Sequence, residues 1–164
     1  MINLHTKGGK KTNMKFEWIR TPKDIWESLS KEFPFTLDAC ASDKNALLNR
    51  YWTKKQDALK QSWNDEVIYC HPMYDQNIPK FIKKAKESSS LCVFLLPAGT
   101  NSNYFHDYLW DAEKHQPQDG VEIRFLPKGN WRYGYKFANE EGEEPETGYL
   151  RPLMIVIINK NKKQ

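Results

Sequence analysis

The chain has 164 residues, of which 39% are hydrophobic and 13% aromatic. This composition supports the core of one domain and excludes a wholly disordered chain. The sequence contains no apolar run of the roughly 18–20 residues that a membrane helix needs, and the N-terminal residues lack the apolar segment of a secretory signal. The net charge is +4, and five glutamates are concentrated in residues 140–146, so the remainder is distinctly basic. A basic body favours a polyanionic partner such as nucleic acid, although lysines that only solubilise the surface give the same composition.

The cysteines and histidines show no spacing typical of metal ligands. Cys40, Cys70 and Cys92 lie in or beside apolar runs, and no CxxC pair occurs. This usage favours buried, reduced thiols in a cytoplasmic protein over disulfides, and it predicts no metal site.

One domain is predicted, with a short polar segment at each end. Residues 1–14 are rich in glycine and lysine and are expected to be flexible. Residues 15–159 are expected to form the domain, and residues 160–164 a basic tail. Neither an internal repeat nor a long low-complexity segment interrupts the domain.

The first elements of the domain are a helix and a short buried strand. Thr21-Pro22 begins the helix, with the proline near its first turn, and an apolar face continues to about residue 33. The strand Phe35-Thr36-Leu37 follows and ends at Asp38, Ala39 and Cys40. A second, weak helix is predicted over residues 43–50.

The middle of the chain alternates strands with a strongly amphipathic helix. Val67–Cys70 is an apolar strand, and the loop His71-Pro72-Met73-Tyr74 follows it directly. The next apolar residues have the i, i+3, i+4, i+7 spacing of a helix that faces a core: Ile78, Phe81, Ile82 and Ala85. Leu91–Leu96 is the next strand, because it is continuously apolar and ends at a proline.

The last third of the chain predicts one more helix and then mainly strands. Apolar spacing indicates the helix over residues 104–112. Strands are predicted over residues 121–126, 131–137 and 153–158, and the acidic segment 140–148 is expected to be a polar loop.

This order of elements indicates an α/β domain. Strands that alternate with helices and are apolar on both faces are typical of a mostly parallel sheet with helices on both faces. The late strands, which lack intervening helices, suggest an antiparallel edge. Asp38 and His71 each follow a strand, so both are expected in one cleft at the carboxyl ends of the strands.

The loop His71–Tyr74 offers the most suggestive chemistry in the chain. The sequence has no glycine-rich phosphate loop, no GxSxG and no HExxH, which disfavours kinases, Rossmann dehydrogenases and zinc hydrolases. Methylation of a base amine needs hydrogen-bond acceptors for the amine and an aromatic face for the flipped base. A neutral His71 and the Pro72 carbonyl can accept, and Tyr74 can stack. An ordinary turn before a helix is the alternative explanation.

Several motifs, taken in order, resemble the phage and prophage DNA adenine-N6 methyltransferase (Dam-like) family between about residues 16 and 133. Phe16-Glu17-Trp18 with Thr21-Pro22 resembles its opening motif. The residues from Phe35 to Ser42 resemble its cofactor strand and loop. Four further pieces stand at the family's spacing: Tyr51-Trp52, Asp57-Ala58-Leu59, Leu95-Leu96-Pro97-Ala98, and His71-Pro72-Met73-Tyr74 at the place of the family's Asn-Pro-Pro-Tyr loop.

The resemblance implies an S-adenosylmethionine (SAM)-dependent methyltransferase-like, Rossmann-like fold. It implies SAM as the cofactor and double-stranded DNA as the partner, with no membrane involved. A monomer is compatible with the length. Since a separate recognition domain does not fit in this length, the loops at residues 98–103, 111–120 and 138–149 are the candidates for reading the DNA sequence.

The same resemblance assigns residues to the cofactor. Asp38, Ala39 and Cys40 would lie against the methionine part of SAM, and Asp57 would approach the adenine end, where a carboxylate can accept from an exocyclic amine. Thr21 and Pro22 would close the pocket. Without the family, Asp38 would be interpreted as a loop cap and Asp57 as a solvated carboxylate beside lysines.

The base-holding loop departs from the family pattern at two positions. His71 stands where the family has asparagine, and Met73 replaces the second proline, whereas Pro72 and Tyr74 are kept. An imidazole accepts a hydrogen bond only when it is neutral and in the right tautomer. Two positions where the family tends to carry arginine are also changed: Gly99, and Asn130 after Gly129. All the departures lie on the substrate side.

Two functions therefore remain open from the sequence. The first is SAM-dependent methylation of a DNA base amine, with adenine N6 as the expected target, by His71, Pro72 and Tyr74. The second is a degenerate methyltransferase fold that binds SAM, DNA or a host protein as an antagonist. A shifted target, such as another base amine or RNA, is a smaller alternative.

Overall fold

The computed structural model describes residues 20–127, 135–145, 148–149 and 151–161. Its two α-helices are α1 (Lys23–Glu32) and α2 (Ile78–Glu87). The strands of these ranges are β1 (Leu37–Asp38), β2 (Val67–Cys70), β3 (Leu91–Pro97), β4 (Trp110–Asp111), β5 (Gln116–Pro117), β6 (Val121–Phe125) and β7 (Leu153–Asn159). A 3₁₀ helix (Ala58–Lys60) and a π-helical turn (Phe105–Leu109) complete the described elements.

Five strands form one mixed sheet in the order β1-β2-β3-β7-β6. β1, β2 and β3 pair in parallel, and β7 pairs antiparallel with both β3 and β6. The predicted mostly parallel α/β sheet is therefore confirmed. The antiparallel strand, however, lies one position inside the edge, and β6 is outermost. The burial of the two strands explains this order, because β7 is buried from Leu153 to Ile158 whereas β6 exposes Phe125.

Helices cover both faces of the sheet, as predicted. On one face α1 buries Ile25 and Leu29, and on the other α2 buries Ile78, Ile82 and Ala85. α1 ends where Phe33 turns to an extended conformation, since the following Pro34 disfavours a helical residue before it. Within the described ranges, no helix has the length and apolar character that crossing a bilayer requires.

One predicted helix does not form, and another is shorter than predicted. Residues 43–50 form turns and bends, because Asp38 accepts the amide of Leu47 and Asn45 accepts the amide of Ser42. The helix predicted over residues 104–112 is present, but as a short π-helical turn at Phe105–Leu109. It stops at Leu109 because β4 and β5 then pair as a hairpin.

The predicted strand at residues 131–137 falls largely outside the described residues. Of its described part, Tyr135 forms an isolated antiparallel bridge with Tyr149, and Phe137 is buried without belonging to a strand. The predicted flexible segment 1–14 and most of the basic tail 160–164 also lie outside the described residues.

Candidate active site

A cavity of about 550 Å³ opens at the carboxyl ends of β1 and β2. Its walls come from the loop after β1, the segment around the 3₁₀ helix, the loop after β2 and the first turn of α2. The side chains that matter for its chemistry are Cys40, Trp52, Lys54, Asp57, His71 and Phe81. The volume is within the range of roughly 300–1,000 Å³ typical of small-molecule and cofactor sites.

Aromatic rings form one wall of this cavity. Trp52 and Phe81 line it, and Trp63 lies behind both of them, with ring centroids 6.3 Å away in each case. Trp63 is almost fully buried, and its indole N–H donates to the carbonyl oxygen of Ala58 at 2.8 Å. This hydrogen bond joins the aromatic wall to the 3₁₀ helix. The rings of Trp52 and Phe81 give the cavity a flat, apolar surface that suits a planar ligand.

Asp57 lies beside this wall and lines the cavity. One carboxylate oxygen accepts the amide hydrogen of Leu59 at 3.2 Å, and the other forms an ion pair with Lys60 at 3.3 Å. The backbone φ of Asp57 is 54°, a left-handed conformation that aspartate tolerates better than most residues. Each oxygen of a carboxylate has two lone pairs, so Asp57 retains acceptor capacity for an amine or a hydroxyl group.

Asp38 is placed behind the cavity and does not line it. It is buried at the end of β1, where its oxygens accept the amides of Cys40 (3.4 Å) and Leu47 (3.2 Å). The carboxylate therefore holds the loop 39–47 in shape. Burial raises the pKa of Asp38 from its ordinary 3.8 to about 6, because removing a carboxylate from water costs more than these hydrogen bonds return.

The raised pKa of Asp38 predicts a pH-dependent stability. The pKa of Asp38 is higher in the folded protein than in the unfolded chain, so protonation of Asp38 stabilises the folded protein. This stabilisation is complete at a pH below 3.8, the pKa in the unfolded chain, and it is lost as the pH rises through about 6. We expect the wild type, relative to Asp38→Asn, to gain about 2 kcal/mol of unfolding free energy on going from about pH 7.5 to about pH 4.5. Urea unfolding of both proteins at both pH values measures this, and an equal difference at both would contradict it.

His71 is held by hydrogen bonds on both sides of its ring. Nδ1 lies 3.1 Å from the Thr21 hydroxyl, and Nε2 lies 3.1 Å from the Tyr74 hydroxyl. The ring is 8% exposed, and burial lowers the pKa of His71 to about 3, so the imidazole is neutral. One edge of His71 nevertheless reaches the cavity.

Tyr74 packs under a segment from the C-terminal part of the chain. Its ring centroid lies 6.0 Å from that of Phe137 and 5.5 Å from that of Tyr149. Pro72 is buried, and among the described residues no hydrogen-bond donor reaches its carbonyl oxygen. The Pro72 carbonyl therefore keeps acceptor capacity, but neither Pro72 nor Tyr74 lines the cavity.

Two groups of predicted cofactor residues stand apart from the cavity. Thr21 contacts His71 and Tyr69, and Pro22 is the N-cap of α1; neither lines the cavity. Ala39 is buried in the core beneath the loop, whereas Cys40 does line the cavity. Predicted site residues that the structure brings together at the cavity are thus Cys40, Asp57 and His71.

Sequence reasoning missed the contacts that hold residues 138–141 against this region. The Arg20 guanidinium donates to the carbonyl oxygens of Asn139, Glu140 and Lys44. Lys44 in turn forms ion pairs with Glu140 and Glu141. The acidic cluster was a usable signal, but nothing in the local sequence indicates which cations it meets.

Of the two positions where the resemblance led us to expect arginine, the structure describes only Gly99. At Gly99, a Cβ atom would lie 3.2 Å from the Tyr104 hydroxyl and 3.4 Å from Ser102 Oγ, so a larger residue needs those side chains to give way. Gly129 and Asn130 lie outside the described residues.

In the described part of the chain, no group of three or more histidine, cysteine, aspartate or glutamate side chains is placed to hold a metal ion.

The comparison with protein families decides the family. The profile of the DNA N-6-adenine-methyltransferase (Dam) family matches residues 8–164, nearly the whole chain. The chain belongs to the Dam family. Among curated proteins, none matches it significantly. The resemblance inferred from the motifs is therefore confirmed, and the family is one of DNA adenine-N6 methyltransferases.

In this Dam-family protein, the cavity lies where α/β sheets bind their ligands. Ligands of open α/β sheets bind outside the carboxyl ends of the strands, and the cavity lies there. The loop His71–Tyr74 borders it on one side and Asp57 with the aromatic wall on another. This Dam-family chain thus has a pocket of cofactor size beside the loop His71–Tyr74.

Proposed function

We propose that this protein transfers a methyl group from SAM to the N6 amine of adenine in double-stranded DNA, in a phage or prophage context and in the cytoplasm of the host. The observation that carries the proposal is the loop His71–Tyr74 at the rim of a cofactor-sized cavity, in a chain of the Dam family. When bound, SAM supplies an electrophilic methyl group on its sulfonium. A Rossmann-like methyltransferase fold is part of this proposal.

The residues around the cavity fit such a cofactor. Trp52 and Phe81 offer ring faces to its adenine, and the Asp57 carboxylate can accept hydrogen bonds from an amine or from ribose hydroxyls. Cys40 offers apolar contact for the methionine part, and Lys54 offers a cation for its carboxylate.

Asp38 and Ala39 support the cofactor site from behind, and Thr21 and Pro22 lie behind the loop after β2. The amides of residues 38–41 are all bonded within the protein: to the carbonyls of Arg50, Tyr69 and Trp52, and to the Asp38 carboxylate. The loop therefore contributes shape and apolar surface to the cofactor, and not amide donors. Thr21 and Pro22 act by setting where α1 begins against the loop after β2.

The loop after β2 would hold the target adenine once it has been flipped out of the duplex. The Pro72 carbonyl accepts a hydrogen bond from the N6 amine and orients its lone pair towards the methyl donor, while Tyr74 and its aromatic neighbours give the base a stacking surface. After transfer the amine nitrogen has four substituents, and it releases one proton to solvent to become neutral. His71 keeps the loop in place beside the cavity.

Cofactor binding provides a test that does not depend on catalysis. Asp57→Ala is expected to weaken SAM binding by about tenfold or more, because hydrogen bonds to a charged group contribute roughly 1.5–3 kcal/mol. Isothermal titration calorimetry with the purified protein measures the Kd. The matched control is Asp65→Ala. Asp65 also has a positive φ (62°), but it lies two residues before β2 and outside the cavity.

The outcomes of this titration are distinct. Asp65→Ala should bind SAM as the wild type does. A wild type that binds no SAM, or an Asp57→Ala variant with an unchanged Kd, would contradict the placement of the cofactor in this cavity.

One observation favours the second function, a methyltransferase fold that binds SAM, DNA or a host protein without catalysis. Both ring nitrogens of His71 are already bonded, so the loop lacks the free side-chain acceptor that an asparagine would provide. For a degenerate protein, the double substitution His71→Asn with Met73→Pro should create methyl transfer that the wild type lacks. Methylation by the wild type at an ordinary rate would end this alternative.

A further inference from the structure

A continuous row of hydrogen-bonding side chains lies behind the loop after β2. The Tyr69 hydroxyl is 2.8 Å from Thr21 Oγ1, Thr21 Oγ1 is 3.1 Å from His71 Nδ1, and His71 Nε2 is 3.1 Å from the Tyr74 hydroxyl. Below, these four side chains are called the polar row. Thr21 precedes α1, whereas the other members belong to β2 and its loop, so the row joins two separate parts of the fold.

The direction of the hydrogen bonds along the polar row is constrained by its protons. A neutral imidazole has one N–H donor and one bare nitrogen acceptor. The bonds on the two sides of His71 therefore run in the same sense: either from Thr21 towards Tyr74, or from Tyr74 towards Thr21. In the first case the Tyr74 hydroxyl keeps a hydrogen that the row does not use. In the second case that hydrogen belongs to Tyr69 or to Thr21, because the Thr21 oxygen can accept from His71 and from Tyr69 together.

Burial favours one of these two directions. Tyr69 is fully buried, and its ring lies against those of Trp26 and Phe35 at 5.2 and 5.6 Å. Within the described ranges, its hydroxyl has Thr21 as its side-chain partner and no second acceptor. Tyr69 therefore donates to Thr21, since the opposite bond would bury a hydroxyl hydrogen without an acceptor. The Thr21 hydrogen then has His71 Nδ1 as its side-chain acceptor at 3.1 Å, which favours a row from Tyr69 through Thr21 to His71 Nδ1, and from His71 Nε2–H to Tyr74.

We propose that Thr21 is a positioning residue of the methyltransferase site, which together with Tyr69 fixes His71 as its Nε2–H tautomer and thereby holds the base-contacting loop. The proposal rests on the proposed function for its catalytic consequence, but not for the tautomer. It changes the role expected for Thr21, which acts through His71 and not on the cofactor. It also leaves the Pro72 carbonyl as the acceptor for the target amine, since both nitrogens of His71 are engaged.

The tautomer can be measured without any activity. In ¹⁵N-histidine-labelled wild-type protein near neutral pH, the His71 resonances, identified by their loss in His71→Gln, should show a protonated Nε2 and a bare, hydrogen-bonded Nδ1. Thr21→Val removes the donor to Nδ1 and should shift the Nδ1 resonance or mix the tautomers. An Nδ1–H tautomer or a doubly protonated ring in the wild type would overturn the proposal.

Kinetics then test the catalytic consequence. Thr21→Val is expected to lower kcat for methyl transfer by about tenfold or more, because small misplacements of reacting groups are costly, while KM for SAM stays within about twofold. Thr21→Ser keeps the hydroxyl and should retain a kcat close to that of the wild type. Thr36→Val, in which the lost hydroxyl binds Glu66 at the other end of β1, is the matched control and should also retain it.

The kinetic outcomes separate the two proposals. An unchanged kcat in Thr21→Val would overturn the positioning role. A raised KM for SAM with kcat intact would also overturn it, and would indicate that Thr21 contributes to cofactor binding. An inactive wild type whose His71 is the Nε2–H tautomer would remove the proposed function and still support the polar row.

Discussion

Tyr74→Ala is expected to lower methyl transfer by about a hundredfold or more while leaving the Kd for SAM within about twofold of the wild type. The ring of Tyr74 does not line the cavity, but its hydroxyl bonds His71 and its ring lies beside those of Phe137 and Tyr149. Removing it takes away the stacking surface for the base and one anchor of His71. Initial rates with tritiated SAM and duplex DNA, together with calorimetric titration of SAM, separate the two effects.

The control for this substitution is Tyr108→Ala. Tyr108 is also half-buried, but it lies in the π-helical turn Phe105–Leu109, away from the loop after β2. It should keep both transfer and binding. If Tyr74→Ala lost SAM binding together with transfer, or kept transfer, the division between a cofactor cavity and a base-holding loop would be wrong.

Trp63→Ala is expected to lower the free energy of unfolding by about 3–5 kcal/mol, the range for large-to-alanine changes of aromatic core residues. Trp63 is 2% exposed, contacts the rings of Trp52, Phe81 and Phe94, and donates its indole hydrogen to Ala58. Its loss leaves a void under the aromatic wall and removes the anchor of the 3₁₀ helix, so SAM binding should weaken as well.

Urea unfolding followed by circular dichroism measures this effect. Phe125→Ser is the control, because Phe125 is 57% exposed on the edge strand, and its change should stay within about 0.5 kcal/mol. A loss below about 1 kcal/mol for Trp63→Ala would contradict the role of Trp63 as the support of the cavity wall.

Local patterns predicted the elements of this fold well where a pattern determines the structure by itself. The apolar spacing of Ile78, Ile82 and Ala85 predicted α2, and the continuous apolar run at Leu91–Leu96 predicted β3. The position of β7 could not be predicted in the same way. β7 is paired with β3 from more than fifty residues earlier in the chain, and a buried strand has the same composition in the middle of a sheet as near its edge.

The candidate site shows the same limit more sharply. The strand ends predicted Asp38 and His71 in one cleft, and the motif order added Asp57. Asp57 and His71 line the cavity, whereas Asp38 is buried and does not line it. Motif order did not predict the partners of the His71 ring, because Thr21 lies fifty residues away in the chain. Nor did it predict that Arg20 binds the carbonyl of Glu140, a residue 120 positions away. Side-chain pairs of this kind depend on how the elements pack against one another. The residue pattern within a single element therefore cannot predict them.

The contacts of the loop His71–Tyr74 change the role expected for His71. In the sequence, His71 was compared with an asparagine that accepts from the target amine. In the structure His71 is a neutral ring whose two nitrogens are both hydrogen-bonded within the protein. Its proposed role is therefore to hold the loop and not to contact the substrate. Catalysis therefore depends on whether a backbone carbonyl at Pro72 orients the amine sufficiently without a side-chain acceptor.

The central claim is tested most directly by nucleoside analysis of methyl-free duplex DNA after incubation with the wild-type protein and methyl-labelled SAM. We expect the label in N6-methyladenine, at a rate that falls about a hundredfold or more in Tyr74→Ala and stays unchanged in Tyr108→Ala. DNA without labelled N6-methyladenine, from protein that is folded and binds SAM, would contradict the claim.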